Sequence, residues 1–267
     1  MRIEIFNVGH GAAALVVADN NNVVLFDCGH DAEGFRPSVY LPQNWRAVQQ
    51  LVVSHYDSDH VSDLANLRTR MPIERLLSNP SISVDEIRRL KLQEGPLTPG
   101  MAALLEMKSS FGAVQNEADL TGISIPYFYL PYGPRFTDMN NLSVVAFIRY
   151  GDFCAVIPGD IERAGWLTML ENNDFRQQLA AVNVFLASHH GRDNGYCEEV
   201  FRYCHPDIVV ISDGPIQYDS QQHCYDRHAR GLNFSRDGSR YVLTTRCDGH
   251  IVINKTIGQP FTIRKER

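Results

Sequence analysis

The run Ser54-His55-Tyr56-Asp57-Ser58-Asp59-His60 puts four side chains that can ligate a divalent cation within six positions. If the stretch is extended, His55, Asp57 and Asp59 project to one side and His60 to the other, because side chains alternate along a strand. One such loop can serve two metal ions about 3.5–4 Å apart, the separation used by two-metal hydrolases. A plainer reading makes these residues solvated groups and a helix cap, with Asp59 placed to cap a helix starting near Val61. A cap needs one such side chain, and four are present.

The surrounding pattern supplies elements to hold them. Leu51-Val52-Val53 reads as a buried strand ending at His55, and Val61, Leu64, Leu67 and Met71 recur at helical spacing after it. Earlier, AAALVVA and VVLFDCGHD flank a polar Asp/Asn turn and read as a hairpin. A short helix is expected over about 42–50. Asp27 closes the apolar run VVLF and precedes His55 by 28 residues; Asp160 closes AVIPG and precedes His189 by 29. Each half thus sets an acid and then a histidine just past an apolar strand, where open α/β sheets carry their functional groups. Residues 79–125 interrupt this scheme: DEIRRLKL and PGMAALLEMKSSF read as helices that fold over the site. A further helix is expected over 161–180. The end of the chain reads as all-β with a frayed basic tail.

Composition narrows the class. The chain has 267 residues, 44% of them hydrophobic, enough for one large domain over 1–267 with a helical insertion at about 79–125. Its net charge of −6 gives no overall attraction to nucleic acid or anionic membrane. The amino end lacks the pattern of a signal peptide, and no apolar run reaches the ~18 residues of a membrane span, so a cytoplasmic protein without a membrane partner is expected. Six scattered cysteines without a C-x-x-C pair read as reduced, packed thiols.

SHYDSDH resembles the H-x-[HD]-x-D-H signature of the metallo-β-lactamase superfamily. LFDCG (25–29) precedes it, and PGDIE (158–162) and ASHHG (187–191) follow in the superfamily's order. More closely, the chain is similar to the metallo-hydrolase domain of ComEC-type DNA-uptake proteins, through NVGHGA (7–12), SHYDSDH, NNLSVV (140–145), PGDIE, SHHG and VVISDG (209–214). The resemblance spans nearly everything except 79–125. It implies an αββα four-layer sandwich and two divalent ions, Zn2+ or Mn2+. His55 and Asp57 would bind the first, Asp59, His60 and His189 the second, and Asp160 would bridge them. Asp27 would lie behind the ligands and hold the motif loop by accepting hydrogen bonds. Asp57 stands where the superfamily usually has histidine, Asn140-Asn141 where its third-motif histidine falls, and Ser62-Asp63 where it usually has Gly-Gly. An oxygen-rich set of three Asp and three His tilts metal choice toward Mn2+.

The chemistry implied is hydrolysis by a metal-bridging hydroxide, with Asp59 and Asp160 in catalytic positions. His223, in a polar loop where ComEC-type sequences also carry a histidine, is the candidate to hold a phosphate or protonate a leaving group. His190, next to His189, would point away in an extended segment. His10, His30, His205, His228 and His250 read as structural or exposed. The resemblance favours a phosphodiester substrate such as DNA. A small-molecule phosphodiesterase or other ester hydrolase is the alternative within the same chemistry. A partner-dependent subunit with a structural metal site is the alternative outside it.

Overall fold

The computed structural model describes every residue except 32–33, 112–117, 215–221, 236 and 267. Three antiparallel strands open the chain, β1 (Arg2–Ile5), β2 (Ala14–Val17) and β3 (Val23–Phe26). Helix α1 (Pro37–Asn44) crosses to β4 (Gln50–Val52), parallel to β3, and α2 (Leu64–Arg70) to β5 (Leu76–Leu77), parallel to β4. The helix expected over 42–50 therefore lies earlier. Pro37 starts it, where a missing N–H leaves nothing unpaired, and Trp45 N–H closes it on Leu41 O at 2.9 Å.

Two helices follow, α3 (Val84–Glu94) and α4 (Pro99–Ser110), capped by the hydroxyls of Ser83 and Thr98 and separated at Gly95-Pro96. The second sheet begins with β6 (Ile123–Ser124) and β7 (Tyr127–Tyr129), both paired to β8 (Val144–Tyr150), and β9 (Phe153–Ile157) returns antiparallel to β8. The single helix expected over 161–180 is two, α5 (Arg163–Met169) and α6 (Asn173–Ala180). Asn172 leaves helical geometry, and its side chain accepts from Asp174 N and Phe175 N, starting α6 anew.

Strands β10 (Val184–Leu186) and β11 (Ile208–Ile211) run parallel to β9 and to each other. After α7 (Gln222–Asp226) and the small hairpin β12 (Leu232–Phe234) and β13 (Gly238–Arg240), β14 (Val242–Thr244) completes this sheet beside β11. Helix α8 (Thr245–Asp248) then leads to β15 (His250–Asn254) and β16 (Thr262–Glu266), which extend the first sheet beyond β1. The tail expected to fray is instead the edge strand β16 through Glu266, because each of its described residues has a register partner on β15.

The sheets, ordered β16-β15-β1-β2-β3-β4-β5 and β14-β11-β10-β9-β8-β6 with β7 also on β8, face each other. Between them pack Ile3, Ile5, Val16, Val24 and Phe26 of the first and Ala146, Ile148, Ile157, Leu186 and Val210 of the second. The alternate residues, such as Leu15, Leu25, Phe147 and Phe185, face outward into layers containing Leu41, Leu64, Trp166 and Phe175 of the helices. Strands covered on both faces must be apolar throughout, which is why VVLF and IVVI do not alternate. Each fully buried Val, Leu or Phe here contributes roughly 1.5–3 kcal/mol. The result is the αββα sandwich. Among the described residues, no helix is long and apolar enough to cross a membrane.

Candidate metal centre

Two parallel strand pairs, β3 with β4 and β9 with β10, end at one edge between the sheets. Asp27 and His55 follow the first pair; Asp160 and the Ser188–Gly191 loop follow the second. The halves are joined directly, since Val144 N donates to Ser54 O at 2.7 Å across the sheets. Gly159, at φ +61°, permits the approach: a Cβ there would sit 2.9 Å from Ser54 Oγ.

In the amino-terminal half, Asp27 is the anchor. Its Oδ1 accepts from Ser54 N at 2.7 Å, and its Oδ2 accepts from Ser54 Oγ at 2.6 Å and lies 2.9 Å from His60 Nδ1. With Nδ1 donating to Asp27, the His60 Nε2 lone pair faces Asp160 Oδ1, 3.2 Å away. A carboxylate behind a ligating imidazole fixes ring and tautomer in this way. Ser58–His60 is a single 3-10 turn, not extended chain, and it parts the two motif aspartates. Asp57 Oδ2 lies 3.1 Å from His55 Nε2, while Asp59 Oδ2 lies 3.3 Å from His190 Nε2 and 3.6 Å from His10 Nε2. Asp59 therefore does not serve as a cap. Asp63 stands at the cap position of α2, and its Oδ2 accepts from Ser38 N at 2.7 Å. Ser62 Oγ accepts from His30 N at 3.0 Å. The pair that replaces Gly-Gly thus ties the 28–38 loop to the start of α2.

The carboxy-terminal half is built differently. His189 (φ 50°, ψ 48°), His190 (φ 54°, ψ 28°) and Gly191 (φ 74°) take left-handed backbone in succession. Side-chain alternation does not apply to such a turn, and His190 points into the site, contrary to expectation. Its Nδ1 lies 2.9 Å from Ser212 O, which leaves Nε2 for Asp59 and for Asp160 Oδ2 at 3.6 Å. His189 also reaches the site, with Nε2 3.8 Å from Asp160 Oδ2, but that nitrogen lies 3.1 Å from Arg192 Nη1 and Nδ1 lies 3.9 Å from Glu162. Two non-glycine residues in left-handed backbone cost of order 1–3 kcal/mol each. Neighbours hold them there: Ser188 Oγ donates to Gly159 O at 3.2 Å, and a Cβ on Gly195 would meet Ser188 O at 2.6 Å and His189 Cβ at 2.8 Å.

These contacts give two groups of potential ligand atoms, His55-His60-Asp160 and Asp59-His60-His190, each within 4.8 Å. The residues fit divalent cations. His55 Nδ1, His60 Nε2 and His190 Nε2 are buried without a well-aligned hydrogen bond, although carboxylate oxygens are close to the latter two. Burial pushes the Asp160 carboxyl up, but the imidazoles of His60, His190 and His55 outweigh it and hold its pKa well below the usual range. Burial likewise opposes ionisation of Asp59, and His60 and His190 reverse it. The same charges raise His60 and His190 against their own burial. A metal ion would take the place of those imidazole protons.

Asn140, which stands at the third-motif position, reaches the site, and Lys91 and Thr98 join it from the helical segment. Asn140 Oδ1 lies 3.1 Å from His55 Nε2, and its Nδ2 donates to Glu162 Oε1 at 2.9 Å, whereas Asn141 turns away to accept from Gly165 N at 3.0 Å. Lys91, on α3, forms an ion pair with Asp57, and Thr98 Oγ1 lies 3.4 Å from Ser58 Oγ, so the helical segment flanks the motif loop. No spacing in the sequence signals Lys91; a glycine straight after His189-His190 is a weak sign of the turn that brings in His190. His223 belongs to neither ligand group; it is exposed on α7, 3.4 Å from Cys224 Sγ, and residues 215–221 before it lie outside the described residues.

Comparison with known proteins agrees with the geometry. The family model of the metallo-beta-lactamase superfamily matches residues 7–92. The chain is 21% identical over 218 residues to "Recombination protein 2" of Haemophilus influenzae, covering 80% of this chain and 24% of that protein. It is 24% identical over 208 residues to "ComE operon protein 3" of Bacillus subtilis, covering 77% and 24%. It therefore spans about a quarter of the length of these relatives. Among solved structures, the metallo-beta-lactamase fold protein YhfI from Bacillus subtilis superposes with a TM-score of 0.53 at 12% identity, over 94% of this chain and 98% of that one. The chain thus has the metallo-β-lactamase fold, and residues 7–92 match the model of that superfamily.

Proposed function

We propose that this protein is a dinuclear metal-dependent phosphodiesterase whose substrate is DNA. The observation that carries the reading is the position of Asp160. It falls in one ligand group with His55 and His60, and its Oδ2 lies 3.6 Å from Nε2 of His190 in the other, where two ions could share it. Divalent cations bound there supply Lewis acidity and bring the pKa of water toward neutrality. The chain's own residues do the rest. Asp27 and Ser212 set the tautomers of His60 and His190, Asn140 steadies His55, and burial keeps bulk water from Asp27 and Asp160. Arg192, whose Nη2 lies 3.1 Å from His10 Nε2, adds a cation beside the site that suits an anionic substrate.

Phosphodiester chemistry and DNA are favoured by the resemblance to ComEC-type DNA-uptake proteins and by the two curated relatives, which align over about four-fifths of this chain. One observation favours a smaller phosphodiester: α3 and α4 flank the motif loop through Lys91 and Thr98 and narrow the approach on that side. The experiment is turnover of single-stranded DNA, duplex DNA, RNA and a chromogenic phosphodiester with added Mn2+, Zn2+ or Mg2+. Metal-dependent cleavage of DNA is expected. Cleavage of the chromogenic ester alone would transfer the reading to a small substrate, and inertness toward all four would overturn it.

A further inference from the structure

The two motif aspartates are placed unequally: Asp59 belongs to a ligand group, whereas Asp57 belongs to neither and lies beside one through His55, its Oδ2 3.1 Å from His55 Nε2. Asp59 meets imidazoles: His190 at 3.3 Å and His10 at 3.6 Å. Asp57 meets an ammonium. Its Oδ1 pairs with Lys91 Nζ, and Lys91 is in turn held by Glu94 Oε2 at 2.9 Å. The lysine side chain is only 8% exposed, which fixes the ammonium in place, while Asp57 is 39% exposed. An ion binding between His55 and Asp57 would share its carboxylate with a cation it cannot displace into water. Among the described residues the ion pairs of Asp59 are with imidazoles, and the Arg192 guanidinium lies against His189 and His10.

We propose that Lys91 is a positioning residue that splits the centre into a tight and a weak metal position. The Asp59-His60-His190 position fills first. The His55-Asp57 position fills second, with affinity lower by on the order of 100-fold, because an ammonium fixed on its carboxylate competes with the ion and repels it. The inference rests on the reading above that the cluster holds two ions. Its consequence is a centre whose second ion comes and goes with metal supply, under the control of α3.

The test is stepwise calorimetric titration of the metal-free full-length chain with Mn2+ and with Zn2+, paired with metal analysis after desalting. Wild type is expected to keep about one ion per chain after desalting and to bind the second about 100-fold more weakly. Lys91→Met should tighten the weaker step by about tenfold and leave the tighter step unchanged, while Lys91→Arg keeps the wild-type gap. Thermal melting checks folding; if the Met variant does not fold, Lys91→Gln carries the same expectation, and the wild-type titration decides the inequality by itself. Two equal steps in wild type, or a weaker step that Lys91→Met leaves unchanged or weakens, would overturn this inference and leave the proposed function standing. No binding of either metal would overturn both.

Discussion

The two halves of the metal centre share one frame and hold their ligands by opposite means. In each, a strand, a parallel neighbour and two short connections bring an acid and a histidine to the same edge. The amino-terminal half is fixed by hydrogen bonds: Asp27 accepts from Ser54 N and Oγ and meets His60 Nδ1, all in the interior. The carboxy-terminal half is fixed by backbone: His189 and His190 sit in left-handed conformations wedged against Gly195. The difference separates two kinds of vulnerability. The first half should fail when a polar partner is removed, and the second when a neighbour changes volume.

Asp160 belongs to the carboxy-terminal half yet touches both, so its loss should erase the distinction. Asp160→Ala is expected to release both ions and to lower metal-dependent turnover by at least about 1000-fold, about 4 kcal/mol of barrier. Metal analysis of the purified variant checks it; two tightly held ions would refute the bridging role. Next in size comes Asp27→Ala, which takes the acceptor from Ser54 N and leaves Ser54 Oγ and His60 Nδ1 with only their mutual 3.2 Å contact there. It should cost about 3–5 kcal/mol in denaturant unfolding. Metal affinity should fall about 10–100-fold, the usual effect of losing a residue that orients a ligand.

Within the second half, His190→Ala should weaken metal binding by at least about tenfold and His189→Ala by less, since His190 belongs to a ligand group while His189 Nε2 faces Arg192. Titrating the two variants side by side would reveal equal losses if both imidazoles are ligands. The smallest effect is expected from Gly195→Ala, whose methyl would enter the space of Ser188 O and His189 Cβ. A shift in the denaturation midpoint worth about 1–3 kcal/mol would show the overpacking, and an unchanged midpoint would show that the turn has slack.

The same contrast explains what could be read in advance. His55, Asp57, Asp59 and His60 were legible because four ligand-type side chains in six residues need no tertiary information to be noticed. The sandwich was legible because strands buried on both faces must be written as continuous apolar runs. His190 was not, because its direction depends on two residues leaving ordinary φ space, which only the surrounding packing can impose. Lys91 was not, because it meets Asp57 across a helix placed by tertiary contacts, and a lysine on a helix usually marks a solvated face. The broken helix at Asn172 and the edge strand β16 were missed for a local reason: a single cap and a single partner strand decided them.

The central claim is a pair of ions shared through Asp160, and anomalous diffraction from crystals grown with Mn2+ tests it most directly. Two peaks about 3.5–4 Å apart are predicted, one beside His55 and Asp57, one beside Asp59, His60 and His190, with Asp160 between them. Under saturating metal, no peak at this edge, or peaks that Asp160 does not touch, would contradict the account.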